Sequence, residues 1–406
     1  MTSLQFYFVL AITTVLGTTS INMAMADTTA PSLAASHNLF AADIFQIIAP
    51  ARSQENVVFS PASIQSSLAL AFLGAEGETA QQIRHGLRLP AALDKTSIAD
   101  DYAGFLKKNF QRNQSTSENA PTLRMANRIY VNDTLQLAPQ FNHLAKSRFD
   151  SEAVPTNFAD SANAVKSINM WVEHQTEGKI KNVLQLVISD ASAILVNAIY
   201  FKAKWLKPFS KMSTYNAEFR MSGGQTATVA MMNSAEFVKY GELLDLDATA
   251  IELPYKDSDL SMLILLPNKV DGLQELEQKL TNVDLNLIAT RMEAETIYIC
   301  LPKFRIELDI DLKKPLQELG MVNMFSDAAD FSSLFSNSPL QKIDEVKHKA
   351  FLDVNEAGSE AAAATFMKYR TFSMKLDTKL FIADHPFVFA IRNREAVYFV
   401  GHVAKF

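Results

Sequence analysis

Glu356-Ala357-Gly358-Ser359-Glu360-Ala361-Ala362-Ala363-Ala364-Thr365-Phe366-Met367 is the least ordinary stretch of this chain. By propensity alone, four alanines beside glutamate read as helix. The flanks read otherwise. Phe351, Leu352 and Val354, followed by polar Asn355 and Glu356, describe a strand running out into a turn at Gly358. After the stretch, Lys368 to Lys379 is mixed and basic, with four Lys/Arg against one Asp. Strand alternation from Ser359 onward puts Ser359, Ala361, Ala363, Thr365, Met367, Tyr369 and Thr371 on one face, all uncharged. Glu360, Lys368 and Arg370 share the opposite face. Small residues opposite charged ones suit a strand that slips between two existing strands. The competing reading is a helical or flexible surface linker.

The whole chain has 406 residues, 48% hydrophobic and 20% charged, with 13 Gly, 14 Pro and one Cys. That composition excludes a disordered, fibrous or low-complexity chain. A single cysteine makes neither an internal disulfide nor a Cys-based zinc site. A prior of about 100–200 residues per domain predicts two or three domains. Yet no Pro/Gly/Ser-rich linker divides the sequence, and the organisation reads as one continuous unit. The net charge of −6 argues against nucleic acid or an anionic membrane as partner.

The N-terminus carries a targeting signal. Leu4 to Leu16 is mostly apolar, the length of a signal-peptide core and too short to span a bilayer. Ala24-Met25-Ala26 then supplies a small-x-small cleavage pattern, although no Lys or Arg precedes the apolar run. Residues 1–26 are therefore expected to be a signal peptide, and residues 27–406 a secreted, extracellular protein. Asn113-Gln114-Ser115 and Asn132-Asp133-Thr134 are glycosylation sequons in polar, turn-like sequence. Cys300, within Ile297-Tyr298-Ile299-Cys300-Leu301, reads as a buried strand thiol.

Phe40, Ile44, Ile47 and Ile48 recur at helical spacing up to Pro50. Ser60-Pro61 starts a second helix, with serine as cap and proline at the first helical position, running to Gly74. Further helices are predicted over Ile98 to Arg112 and Ala162 to Gln175. Leu195 to Lys202, Ala250 to Leu253, Ser261 to Leu266, Thr296 to Leu301 and Val397 to Val403 read as strands. Helices come early and strands mostly late, without regular alternation, which predicts an α+β architecture with several sheets.

Enzymatic machinery is not visible. The chain has no Gly-x-Ser-x-Gly elbow, no His-Glu-x-x-His helix and no phosphate-cradling glycine loop. Its seven histidines have no metal-ligand spacing. No catalytic residue, metal or cofactor is expected, and the chain is read as not an enzyme.

Several motifs do occur together. Asn56-Val57-Val58-Phe59-Ser60-Pro61-Ala62-Ser63-Ile64 and Leu73-Gly74-Ala75-Glu76-Gly77-Glu78-Thr79 are followed by Leu195-Val196-Asn197-Ala198-Ile199-Tyr200-Phe201-Lys202-Ala203-Lys204-Trp205 with Pro208-Phe209. Leu301-Pro302-Lys303-Phe304, His348-Lys349-Ala350 and Asp384-His385-Pro386-Phe387-Val388-Phe389 complete the series. In this order they resemble the serpin family, over essentially all of the chain after residue 26.

The resemblance implies three β-sheets, eight or nine helices, and an exposed reactive-centre loop at about 356–379. It implies a suicide-substrate mechanism: a serine protease attacks the loop, forms a covalent acyl-enzyme, and is trapped when the loop inserts into the central sheet. Glu356, Gly358, Ser359, Ala361, Ala362, Ala363, Ala364 and Thr365 match the hinge of inhibitory members. Ala357 departs from the charged residue usual there. Family spacing from Gly358 puts the scissile bond at Phe372-Ser373, which suits a chymotrypsin-like pocket. Arg370, with Lys375 behind it, is the trypsin-like alternative. Ser60, Ser63, Asn197 and His348 match the polar gate that lets the sheet open, and Trp205 the tryptophan near the loop's insertion end. A non-inhibitory serpin acting as a secreted carrier or binding protein is the other alternative. Lys107, Lys108 and Arg112 cluster on the third predicted helix, but Asp100 and Asp101 beside them read as a solvated face, so no glycosaminoglycan site is expected. A monomer is expected.

Overall fold

The computed structural model describes residues 33–110, 120–336, 341–359 and 378–406. Nine α-helices occur among them: α1 (Leu33–Ile48), α2 (Pro61–Gly74), α3 (Gly77–Gly86), α4 (Lys95–Asn109), α5 (Pro139–Phe149), α6 (Ser161–Gln175), α7 (Leu273–Lys279), α8 (Leu285–Ile288) and α9 (Lys313–Glu318). The strands are β1 (Val57–Phe59), β2 (Thr122–Asn132), β3 (Ala153–Thr156), β4 (Ala193–Lys204) and β5 (Tyr215–Arg220). They continue as β6 (Thr226–Leu243), β7 (Ala248–Pro254), β8 (Ser261–Pro267), β9 (Glu293–Pro302) and β10 (Phe304–Asp311). The last five are β11 (Glu345–Asn355), β12 (Gly358–Ser359), β13 (Lys379–Ile382), β14 (Phe387–Arg392) and β15 (Val397–Val403). The architecture is α+β, as the order of helical and strand signals predicts.

The central sheet runs β10-β11-β12-β4-β2-β3. Its strand β4 is buried on both faces, which explains why Ala193–Phe201 is apolar except for Asn197. Leu195, Ile199, Phe201 and Ala203 face the main core, while Ile194, Val196, Ala198 and Tyr200 face a second apolar cluster. That second cluster is closed by Ile168 and Val172 of α6. The other strands form β1-β15-β14-β8-β7-β6-β9-β13, with β5 also on β6. Here β6, 18 residues long, pairs with β5, then β9, then β7 along its length. The three ladders expected as separate sheets are therefore hydrogen-bonded into two units, because β6 carries pairing from one ladder into the next.

Helix α2 lies in the core with every residue buried. A helix covered all round cannot leave polar groups bare. Its serines satisfy themselves locally: Ser66 Oγ donates to Ala62 O at 2.7 Å and Ser67 Oγ to Ser63 O at 3.1 Å. Gln65 Nε2 donates to Ser36 O and Leu87 O at 3.2 and 3.0 Å. Ser60 caps the helix, its Oγ accepting from Ser63 N–H at 3.2 Å, with Pro61 at the first position. That cap aims the start of α2 at the underside of the central sheet.

Candidate functional site

Strands β4 and β11 are parallel neighbours from Ile194↔Glu345 to Tyr200↔Phe351. Above that point they part. Gly358 and Ser359 of β12 lie between them, antiparallel to both: Ser359 pairs with Ala203 on one side and Val354 on the other. Two positions on each strand, Phe201 and Lys202 on β4 and Leu352 and Asp353 on β11, fall between the closed part and the inserted pair.

Three groups hold the turn that feeds β12. Trp205 Nε1 donates to Asn355 O at 3.0 Å, and Trp205 N–H donates to Ala357 O at 3.0 Å. The indole stacks on Tyr255 with centroids 4.7 Å apart, and Tyr255 Oη lies 2.8 Å from Ser359 Oγ. Glu356 is buried against Lys303 Nζ at 3.0 Å and accepts from Thr214 Oγ1 at 2.9 Å. Burial pushes the Glu356 carboxyl up, but bonds from its own backbone N–H, Lys303 and Thr214 outweigh it and hold it below the usual range.

Lower down, the polar residues singled out as a gate are brought together. Ser60 N–H donates to His348 Nε2 at 3.1 Å, which leaves Nδ1 to carry the ring proton toward Asn197 Oδ1. Asn197 Nδ2 donates to Ser63 Oγ at 2.5 Å and Ser63 O at 3.2 Å. Asn127 on β2, opposite Asn197 in register, accepts from the same amide. All of Ser60, Ser63, Asn197 and His348 are buried. Burial pushes the His348 imidazole down to about 3, so the ring is neutral. His348 and Asn197 are also directly opposed in the β11–β4 ladder. This polar side-chain pair bridging the two strands is thus one that must separate if they part.

Sequence reasoning did not single out Tyr255, Asn127 or Thr214. Each looks like an ordinary strand or loop residue until tertiary pairing places it. Asn132 ends β2 half-buried, its amide donating to Ala191 O at 3.1 Å and its Oδ1 accepting from Thr134 Oγ1 at 2.7 Å. Lys108 pairs with Glu395, which removes one charge from the basic cluster on α4. Residues 1–26, Arg112, Asn113, Glu360 to Thr365, Arg370, Phe372, Ser373 and Lys375 lie outside the described residues.

The family profile described as "Serpin (serine protease inhibitor)" matches residues 35–406. The chain belongs to the serpin family. Among its relatives, "Serine protease inhibitor 42Dd" of Drosophila melanogaster is 39% identical over 371 residues, covering 89% of this chain and 95% of the relative. "Leukocyte elastase inhibitor A" of Rattus norvegicus is 36% identical, covering 92% and 99%. The structure is similar to that of Serpin48 of Tenebrio molitor, with a TM-score of 0.83 at 31% identity, covering 94% and 99%. The serpin fold follows. In place of a reading by missing catalytic motifs, the family model and these relatives carry a positive description, as serine protease inhibitors.

Proposed function

We propose that this serpin is a secreted suicide-substrate inhibitor of chymotrypsin-like serine proteases, cleaved at Phe372-Ser373 and trapping the acyl-enzyme by loop insertion between β4 and β11. The observation that carries this reading is the placement of Gly358 and Ser359, already paired with both strands. Strand addition to an available pairing edge is an established serpin device. Continuing the present register brings Ala361 level with Phe201 and Leu352. Thr365 comes level with Asn197 and His348. The uncharged parity of the loop then enters on the face where Ser359 is already buried. At the gate, the Thr365 hydroxyl replaces the bond between Asn197 and His348 that insertion breaks, so neither group is left unpaired. Roughly a dozen new ladder bonds at about 1 kcal/mol net each are comparable to a typical domain stability of about 5–15 kcal/mol.

The chemistry of the loop follows from the attacking protease. Its serine attacks the Phe372 carbonyl, the Phe372–Ser373 peptide bond breaks, and Ser373 leaves as the new amino terminus. The ester on Phe372 remains when insertion outruns hydrolysis. Phenylalanine on the acyl side suits an apolar specificity pocket. Secretion is supported by the Leu4–Leu16 run and Ala24-Met25-Ala26. Incubation with chymotrypsin is expected to yield a covalent complex that survives SDS and boiling, with a released fragment beginning at Ser373 by mass spectrometry. Clean cleavage with full recovery of protease activity would sink the inhibitory reading in favour of a carrier.

A further inference from the structure

Loop insertion, as proposed, buries only the uncharged parity of the loop. The opposite parity, Glu360, Lys368 and Arg370, carries every charge between Ser359 and Thr371. The register that brings Thr365 level with Asn197 and His348 brings Glu360 level with Lys202 of β4 and Asp353 of β11. Glu360 is one peptide beyond Ser359, so its level follows directly from the pairing of Ser359 with Ala203 and Val354. Lys202 and Asp353 lie where the two strands have already parted, just above the closed pair Tyr200↔Phe351.

Lys202 is exposed there, and it makes no ion pair among the described residues. Its neighbour across the β2–β4 ladder is uncharged Thr122, and Lys204 shares its face. Asp353 is opposed by Arg305 of β10. The row therefore holds two cations for one acid. Glu360 entering between Lys202 and Asp353 balances it, each acid then having a base on its outer side. Opposed residues in a ladder bring their Cβ atoms within about 4.5–5.5 Å, well inside the reach of a lysine and a glutamate.

The alanines behind Glu360 carry no register information of their own. Ala362 comes level with Tyr200 and Phe351, and Ala364 with Ala198, along the apolar cluster closed by α6. A strand advanced by two residues would seat Ala361 and Ala362 in the places of Ala363 and Ala364 just as well. It would also drive the Glu360 carboxylate between Tyr200 and Phe351 and leave Lys202 unmatched. At the far end the same register sets Lys368 level with Glu345, whose neighbour Lys347 has a second partner in Asp311. Arg370 falls level with Ser192, before β4 begins. Glu360 and Lys368 thus bracket the stretch that cannot set its own register.

We propose that Lys202 is a positioning residue for insertion: its ammonium pairs with the Glu360 carboxylate as the loop begins to enter, and so fixes the register before the alanine run follows. The proposal rests on the inhibitory reading above. Insertion competes with hydrolysis of the acyl-enzyme, so even a modest change in insertion rate alters how much protease is trapped.

The test counts inhibitor molecules cleaved without trapping for each chymotrypsin trapped, which is the ratio of hydrolysis to insertion. Lys202→Glu sets three carboxylates in one row and is expected to raise that number about five-fold, the range of an opposed charge pair. Glu360→Lys/Lys202→Glu restores opposite charges in the row and should return it to within about two-fold of wild type. A merely structural role for Lys202 would not be rescued by a charge exchange on the loop. The urea midpoint of the uncleaved Lys202→Glu protein should match wild type, because Lys202 has no partner to lose before insertion. In about 1 M salt the difference between wild type and Lys202→Glu should shrink, since an exposed pair is screened. A Lys202→Glu ratio within about two-fold of wild type overturns the assignment and leaves inhibition standing. So does a double variant that fails to recover, since Lys202 then acts on something other than Glu360. If the wild type forms no covalent complex with chymotrypsin, the inhibitory reading fails first and takes this proposal with it.

Discussion

Tyr255 Oη and Ser359 Oγ lie 2.8 Å apart with both residues buried, joining the end of β7 to the start of the loop. Burial pushes the phenol up, so Tyr255 remains a neutral hydroxyl at all working pH values. Replacing it with Phe leaves the serine hydroxyl buried without a partner. The urea midpoint of Tyr255→Phe is expected to fall by the equivalent of about 1–3 kcal/mol. Tyr255→Phe/Ser359→Ala should recover part of that loss, because neither group then lacks a partner. Equal midpoints for wild type and Tyr255→Phe would show that the contact contributes nothing.

Gly358 has φ +147°, and a Cβ built there falls 2.0 Å from Ala203 O and 2.7 Å from Lys204 Cα. Both neighbours are backbone, so the clash is not relieved by a rotamer change. Gly358→Ala is expected to expel β12 from between β4 and β11. Amide hydrogen exchange across 355–359 should lose protection, and more inhibitor should be cleaved per protease trapped. Wild-type protection in the variant would contradict the close approach.

Thr365 is the residue that register continuation brings level with Asn197 and His348. Thr365→Arg puts a cation on the buried face at the gate, where desolvating an unpaired charge costs at least several kcal/mol. The variant is expected to be cleaved at the same bond but to release active protease. Unchanged stoichiometry of inhibition would falsify the insertion register.

His348 gives the gate a pH dependence. Its folded value, about 3, lies below the ordinary imidazole value of 6.5 because burial penalises the charged ring. Protonation also turns Nε2 into a donor facing the Ser60 N–H. The unfolded chain therefore binds the proton more readily, and the stability tied to neutral His348 is full above about pH 6.5 and is lost progressively as pH falls toward 3. Urea midpoints of wild type should decline over that window by the equivalent of a few kcal/mol. His37, pushed down to about 4 by burial, contributes in the same direction. His348→Gln should flatten the slope without abolishing it. Identical slopes in the two proteins would remove His348 from the pH response.

Local features were readable where one residue's chemistry is enough. The Ser60 cap with Pro61, the apolar runs of β4, β8 and β15, and the buried thiol of Cys300 all follow from local rules, and the structure has them. The strand β6 was not predicted, because its partners change along its length and its burial never settles into simple alternation. Helices α3 and α5 were also missed; both are short, and each buries only three residues. At the candidate site, Trp205, Ser60, Ser63, Asn197 and His348 came from motif resemblance rather than from periodicity.

By itself, the sequence determined which faces a segment can bury, where helices start, and that a single cysteine leaves the central sheet without a covalent staple. It also carried the small-residue parity from Ser359 to Thr365. Only the tertiary structure decided that Ser359 sits between Ala203 and Val354 and that His348 faces Asn197. The physical reason is range. Alternation and capping act over a few residues, whereas β4 and β11 are brought side by side by the packing of the whole core, and a strand's own side chains do not specify which distant backbone will meet its hydrogen bonds.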